Sequence, residues 1–224
     1  MKQLPSSLSR PLIRITYCLP LLFGIVMLIH ASVPHVFYIY MQDNVPNMGE
    51  DQSLFGLMSS TWKLCTAWIK GTAEGTAEGT PNAFYFSYMM NTAVVISWIA
   101  MVLYALTAIP AAICSFIAFS FPPTSRVSNQ AKRWLQLFCP NRVLYVLALL
   151  LPLIPTSFSL FLQFGYRKLM HYDMTVHYQG ISDLALAAIL TAISLAAFLL
   201  LLPAQRDEQM DMYRLCKPKD KAVQ

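Results

Sequence analysis

The sequence predicts an all-α membrane protein with four transmembrane helices, and three observations lead to that prediction. Of the 224 residues, 56% are hydrophobic and 12% are charged, which is about half the charged fraction of soluble domains. Residues 79–125 contain no charged residue or histidine, and their apolar part is long enough as a helix to exceed roughly 30 Å of bilayer hydrocarbon. Basic residues are concentrated in segments that alternate with the apolar runs.

The first span is expected at residues 12–40. Its apolar run is longer than the hydrophobic region of a signal peptide, and no A-x-A cleavage site ends it, so we expect the helix to be retained. Pro20 and Pro34 lie inside this span, where a missing backbone donor kinks a helix. Tyr38 and Tyr40 are placed at its far end, as aromatic residues are at a headgroup boundary.

The loop after the first span contains the clearest amphipathic pattern. Over residues 53–70, apolar side chains that include Trp62 and Trp68 fill one half of a helical projection. Ser53 is a suitable N-cap, and Gly71 is a suitable stop signal. The pattern predicts an amphipathic helix that lies on the membrane surface or caps the helical bundle, and capping is favoured because the polar face holds few basic residues.

Three further spans complete the single predicted membrane domain. Residues 71–80 read GTAEGTAEGT, and glycine at every fourth position with small polar neighbours predicts a flexible linker. The later spans are expected at 84–109, 144–164 and 184–202, and a charged cytoplasmic tail follows at 205–224.

Prolines mark the expected breaks in two of these spans. Pro110 lies where a crossing that begins at residue 84 should end, so residues 111–121 are expected to bend away along the inner leaflet. Pro152 and Pro155 interrupt the third span. The basic loop 126–142 has apolar residues at helical spacing, which predicts a short surface helix.

The basic residues determine the predicted orientation. Twelve of the sixteen Lys and Arg residues lie in the N-terminal segment, the loop 126–142 and the tail, and the other four lie in the remaining loops. Because loops rich in Lys and Arg stay in the cytoplasm, both termini are expected there. The sequence thus predicts a multi-pass cell-membrane protein whose amphipathic helix is extracytoplasmic.

All four histidines are expected on the extracytoplasmic face. His30 and His35 lie near the end of the first span, and His171 and His177 lie in the loop before the fourth, which Asp183 begins. Imidazole, carboxylate and nearby methionine side chains could bind zinc or copper, and paired histidines could hold a haem. Their spacing matches no ligand signature, so the same residues also fit an ordinary loop at the headgroup region.

The motifs favour a non-enzymatic protein. No Walker loop, G-x-S-x-G or H-E-x-x-H motif is present, so neither an enzyme nor a cofactor is expected. Basic residues beside the membrane meet anionic lipid, which argues against nucleic-acid binding. Alanines 188, 192 and 196 share one helical face and would let another helix approach closely.

The sequence therefore predicts an integral membrane subunit, scaffold or binding partner of a membrane assembly. Its expected partners are the lipid bilayer and either other membrane subunits or a second copy of the chain. Two alternatives stay open. One is an outer-facing metal or haem protein that uses the histidine cluster, and the other is a transporter component that depends on partner chains.

Overall fold

The structure, a computed structural model, describes residues 6–41, 48–71, 81–122, 124–138, 142–169, 174–176 and 179–200. Most of the predicted linker and the whole predicted tail lie outside these described residues. The described chain is mainly helical. Its elements are, in order, α1 (Ser6–Ser32), β1 (His35–Met41), β2 (Met48–Gln52), α2 (Leu54–Lys70), α3 (Pro81–Ser120), α4 (Arg126–Phe138), α5 (Arg142–Leu150), α6 (Leu153–Thr156), α7 (Phe158–Leu169), β3 (Met174–Val176) and α8 (Gln179–Leu200).

The predicted helical fold with several long apolar helices is confirmed. Within the part of the chain that the structure describes, three helices are long and apolar enough to cross a membrane, over Pro11–Ser32, Ala83–Ser120 and Asp183–Leu200. A fourth candidate is the pair Val143–Thr156 and Phe158–Gly165, which is bent by 49°. The break between the two parts of this pair comes just after Pro152 and Pro155, which were expected to interrupt the third span.

The structure corrects two helix boundaries. The first helix ends at Ser32 and not near Tyr40, because Pro34 cannot donate the next helical hydrogen bond and the β-branched and aromatic residues after it form β1. The long helix α3 continues through Pro110 as one helix to Ser120, where the sequence indicated an end near Ile109.

A small antiparallel sheet is an addition that the sequence did not predict. Its strand order is β2-β1-β3. His35 is paired with Gln52 across β1 and β2, and Ile39 is paired with Val176 across β1 and β3. The sheet thus joins the loop that follows α1 to the loop that precedes α8.

The N-terminal half of α3 packs against α2 and α7. The ring of Phe55 stacks on Trp98 with centroids 5.7 Å apart, and the ring of Trp68 lies 6.1 Å from that of Phe86. Helix α7 approaches closely at Gly165, where a Cβ atom would come within 3.0 Å of the Met89, Met90 and Phe86 side chains. The buried core here consists of Ala31, Leu54, Leu57, Met58, Cys65, Phe86, Met90, Val94, Phe158 and Leu162.

The C-terminal half of α3 packs against α1, α4 and α5. The Ser128 hydroxyl of α4 donates a 2.6 Å hydrogen bond to the carbonyl of Ala118. The Arg14 guanidinium of α1 donates to the Ser120 hydroxyl at 3.2 Å. A second core contains Ala111, Leu135, Tyr145, Leu149 and Phe198. Helix α5 therefore lies at the end of α3 opposite to α7.

Helix α2 has the predicted bounds and caps, but not entirely the predicted face. The Ser53 hydroxyl accepts a 3.0 Å hydrogen bond from the Gly56 amide, and Gly71 ends the helix with a φ of 67°. The side chain of Trp62, expected on the buried side, is 41% exposed. Instead of crossing the end of a bundle, α2 runs alongside α3 in the opposite direction, because its first turn contacts Trp98 and its last turn contacts Phe86.

Candidate functional site

An imidazole and a carboxylate join the end of α1 to the beginning of α8. The Nδ1 atom of His30 lies 2.5 Å from an Oδ atom of Asp183. The Asp183 side chain is completely buried, whereas that of His30 keeps 32% of its surface exposed. A buried carboxylate needs such a partner, because an unpaired buried charge costs several kcal/mol.

The structure places one of the four predicted histidines in this pair. The backbone of His35 lies in β1, and its side chain, like all of His171 and His177, lies outside what the structure describes. Among the described residues there is no group of three or more His, Cys, Asp or Glu side chains that could hold a metal ion. The four-histidine site therefore stays a prediction.

The sequence places Asp183 at the start of the fourth span but does not predict its pairing with a histidine. A usable signal was present, because Asp183 borders an apolar run without any other charged residue up to Leu202. Ionisable groups at membrane depth are rare and usually functional. The partner of Asp183 could not be identified from sequence, since His30 lies more than 150 residues away.

An apolar cavity lies close to the pair, between α1, α3, α6 and the first turn of α2. Its volume is about 280 Å³. Two features create the space. Glycine and alanine residues line it on α1 and α3, and the prolines around α6 interrupt the regular helix on its other side. Representative lining residues are Gly24, Met27, Leu54, Met101, Ala105 and Pro155.

Tyr104 separates this cavity from the inward face of α8. Its hydroxyl donates a 2.5 Å hydrogen bond to the carbonyl of Pro20, and its ring also lines a smaller void beside Thr191 and Ser194. A Cβ atom on Gly24 would lie 2.7 Å from the Tyr104 ring, so only glycine lets the ring take this position. Tyr104 is thus fixed by α1 on the side of the cavity.

Helix α8 has two distinct faces. Its buried face holds Asp183, Ala187, Thr191, Ser194 and Phe198. Its exposed face holds Ala185, Ala188, Ile189, Ala192, Ile193 and Ala196. Among the side chains of this helix that the structure describes, the polar ones point into the protein, and the exposed face consists of alanine and aliphatic side chains.

A buried thiol lies between α2 and α3. Cys65 has no exposed surface. Burial raises the pKa of this thiol from its ordinary value to about 11, and the neighbouring Ser87 hydroxyl lowers it by a smaller amount. Cys65 is therefore a neutral, unreactive core residue at physiological pH.

No protein family, curated protein or solved structure matches this chain.

Proposed function

We propose that this chain is a non-enzymatic integral subunit of a membrane assembly, a scaffold or binding partner that crosses the cell membrane four times. The observation that carries the proposal is the exposed face of α8. The alanines of this face form a shallow groove (the small-residue lane) along the helix, and isoleucine side chains lie beside it. In a bilayer such small-residue surfaces allow close contact between helices, which gives them van der Waals attraction without a hydrophobic driving force.

The packing of α3 supports the fourth crossing. Helix α5 begins beside the C-terminal half of α3, and α7 lies beside its N-terminal half. The bent segment from α5 to α7 therefore runs along the length of α3 and does not return to its starting level. Together with the distribution of Lys and Arg, this supports cytoplasmic termini and an extracytoplasmic α2.

The occupant of the α8 face is a transmembrane helix of another subunit or of a second copy of the chain. The protein would be extracted from its native membrane into nanodiscs, and the mass of the protein component measured by light scattering. We expect a mass well above the 25.3 kDa of one chain. Ala192→Phe, which fills the lane, should reduce the mass to that of one chain.

Leu22→Phe is the matched control, because Leu22 is also exposed but belongs to α1 and not to the small-residue face of α8. This variant should keep the wild-type mass. A wild-type chain that is monomeric in native nanodiscs, with no other protein present, would contradict the proposal.

A metal or haem protein is the second candidate function, and the His30–Asp183 pair favours it. Histidines that bind metals usually have one ring nitrogen bonded to a carboxylate, which orients the ring. Purified protein after metal exchange should then contain stoichiometric zinc or copper, or show a Soret band. His30→Ala and His177→Ala should each abolish the bound metal or the Soret band. Substoichiometric metal that both variants leave unchanged would exclude this function.

A further inference from the structure

We propose that the cavity between α1, α3 and α6 binds one hydrocarbon chain, taken laterally from the bilayer. This inference rests on the proposed membrane location of the helices. It adds a ligand site that is separate from the outward face of α8.

The chemistry of the lining excludes a polar ligand. Among the described residues that line the cavity, the polar side chains are those of Tyr104 and Thr156. The Tyr104 hydroxyl donates to the carbonyl of Pro20, and the Thr156 hydroxyl donates to the carbonyl of Pro152 at 2.9 Å. Each side-chain donor is therefore already used, and a ligand meets mainly methyl, methylene and aromatic surface.

The size of the cavity fits a flexible chain. Its 280 Å³ lies near the lower limit of about 300 Å³ for ligand pockets. The lining on α1 extends from Leu21 to Ala31, a rise of about 15 Å along the helix. Water does not fill such a space, because a buried water needs two to four polar partners. An empty space would lose dispersion contacts on all its walls, so hydrocarbon is the favoured occupant.

The rim shows the direction of entry. Ile25, Leu28 and Ile109 line the cavity and are also exposed on the outside of α1 and α3. Leu54 and Phe55 at the start of α2 line its other end, where Phe55 is held by its stack on Trp98. A chain therefore enters sideways from the membrane, between exposed aliphatic side chains.

The experiment uses the full-length protein in nanodiscs made with a phosphatidylcholine that carries a photoreactive diazirine in one acyl chain. After illumination, labelled positions are mapped by mass spectrometry. We expect strong labelling of the inward-facing Met27 and Met101 in the wild-type protein. Labelling confined to outward-facing side chains such as Leu106 would overturn the proposal.

Two variants test whether the label reports on the cavity. Ala105→Phe fills the space and should reduce labelling of Met27 and Met101 at least fivefold. Val102→Phe adds the same ring to the exposed side of α3 at nearly the same depth and should leave the labelling unchanged. Equal labelling in both variants would also overturn the proposal.

A second probe, a free fatty acid that carries the same diazirine, shows whether the bound hydrocarbon chain comes from a phospholipid or from a free fatty acid. Labelling of Met27 by both probes indicates a site for any linear hydrocarbon, and labelling by the phospholipid alone indicates a site for a membrane lipid. Either result supports the proposal. If neither probe labels any residue of α1, α3 or α8, the membrane location fails and the cavity proposal fails with it. Labelling of outward residues alone refutes only the cavity.

Discussion

The carboxylate of Asp183 is stable in a buried position because the imidazole of His30 lies beside it. We expect His30→Ala to reduce the free energy of unfolding by about 3 kcal/mol, since it leaves a buried charge without its partner. Asp183→Asn should cost less, because it removes the charge together with the need for a partner. Unfolding by SDS in mixed micelles measures both effects.

The double variant is the control for this prediction. If the two groups act as a pair, His30→Ala combined with Asp183→Asn should be less destabilising than the sum of the single changes. A His30→Ala variant as stable as the wild-type protein would contradict the role given to the pair.

The thiol of Cys65 should resist alkylation in the folded protein. With its pKa raised to about 11, Cys65 has about 100-fold less thiolate at neutral pH than an ordinary cysteine. Ionisation of the unfolded chain begins at lower pH, so this thiol stabilises the fold below pH 9 and progressively less between pH 9 and 11.

Maleimide labelling at pH 7.5 checks this expectation. Ser59→Cys provides an exposed thiol on the same helix for comparison and should react far faster. Similar rates for the two thiols, or a Cys65 rate that stops rising at pH 9, would show that Cys65 is not buried as described.

Local chemistry could be predicted from sequence at the level of single residues, whereas tertiary partners could not. The cap formed by Ser53 and the stop at Gly71 depend on neighbouring backbone groups, and both are confirmed. The outward position of Trp62 depends on where α3 and α7 contact α2, and that contact is set by distant parts of the chain. The partner of Asp183 was hidden for the same reason.

Helix α2 is the element whose packing is most directly testable. The ring of Trp68 packs against Phe86, and that of Trp62 is largely exposed. We expect Trp68→Ala to lower the free energy of unfolding by about 2–3 kcal/mol, because it opens a space in the α2–α3 contact. Trp62→Ala should cost less than about 1 kcal/mol. The same SDS titration compares the two variants, and a larger loss for Trp62→Ala would reverse the assigned orientation of the helix.

The elements themselves show why helix boundaries are harder to predict than helix existence. Residues 36–41 are all aliphatic, aromatic or methionine, so hydropathy could not separate the end of α1 from the strand that follows. The partner strand β2 is polar and has no strand signal of its own; it forms because β1 is available to pair with it. Pro110 was expected to end a span, but α3 accommodates it within one helix.

At the scale of the whole molecule, composition and charge distribution were sufficient to predict a helical membrane protein. They could not determine whether the bent segment α5–α7 crosses the membrane, because the lengths of its parts fit a broken span or a re-entrant loop. The contacts of α7 with the N-terminal half of α3 favour a crossing. The cavity could not have been predicted either, since it results from three helices and a proline break coming together.

The most direct test of four crossings is the side of the membrane on which Lys168 lies. In a chain whose native cysteines are replaced, Lys168→Cys, Ser59→Cys and Gln130→Cys each place one exposed thiol, on α7, α2 and α4. Intact cells are treated with a membrane-impermeant maleimide, with and without permeabilisation. We expect Lys168→Cys to react from outside like Ser59→Cys, and Gln130→Cys to react only after permeabilisation. A Lys168→Cys thiol that reacts only after permeabilisation would contradict the four-crossing account.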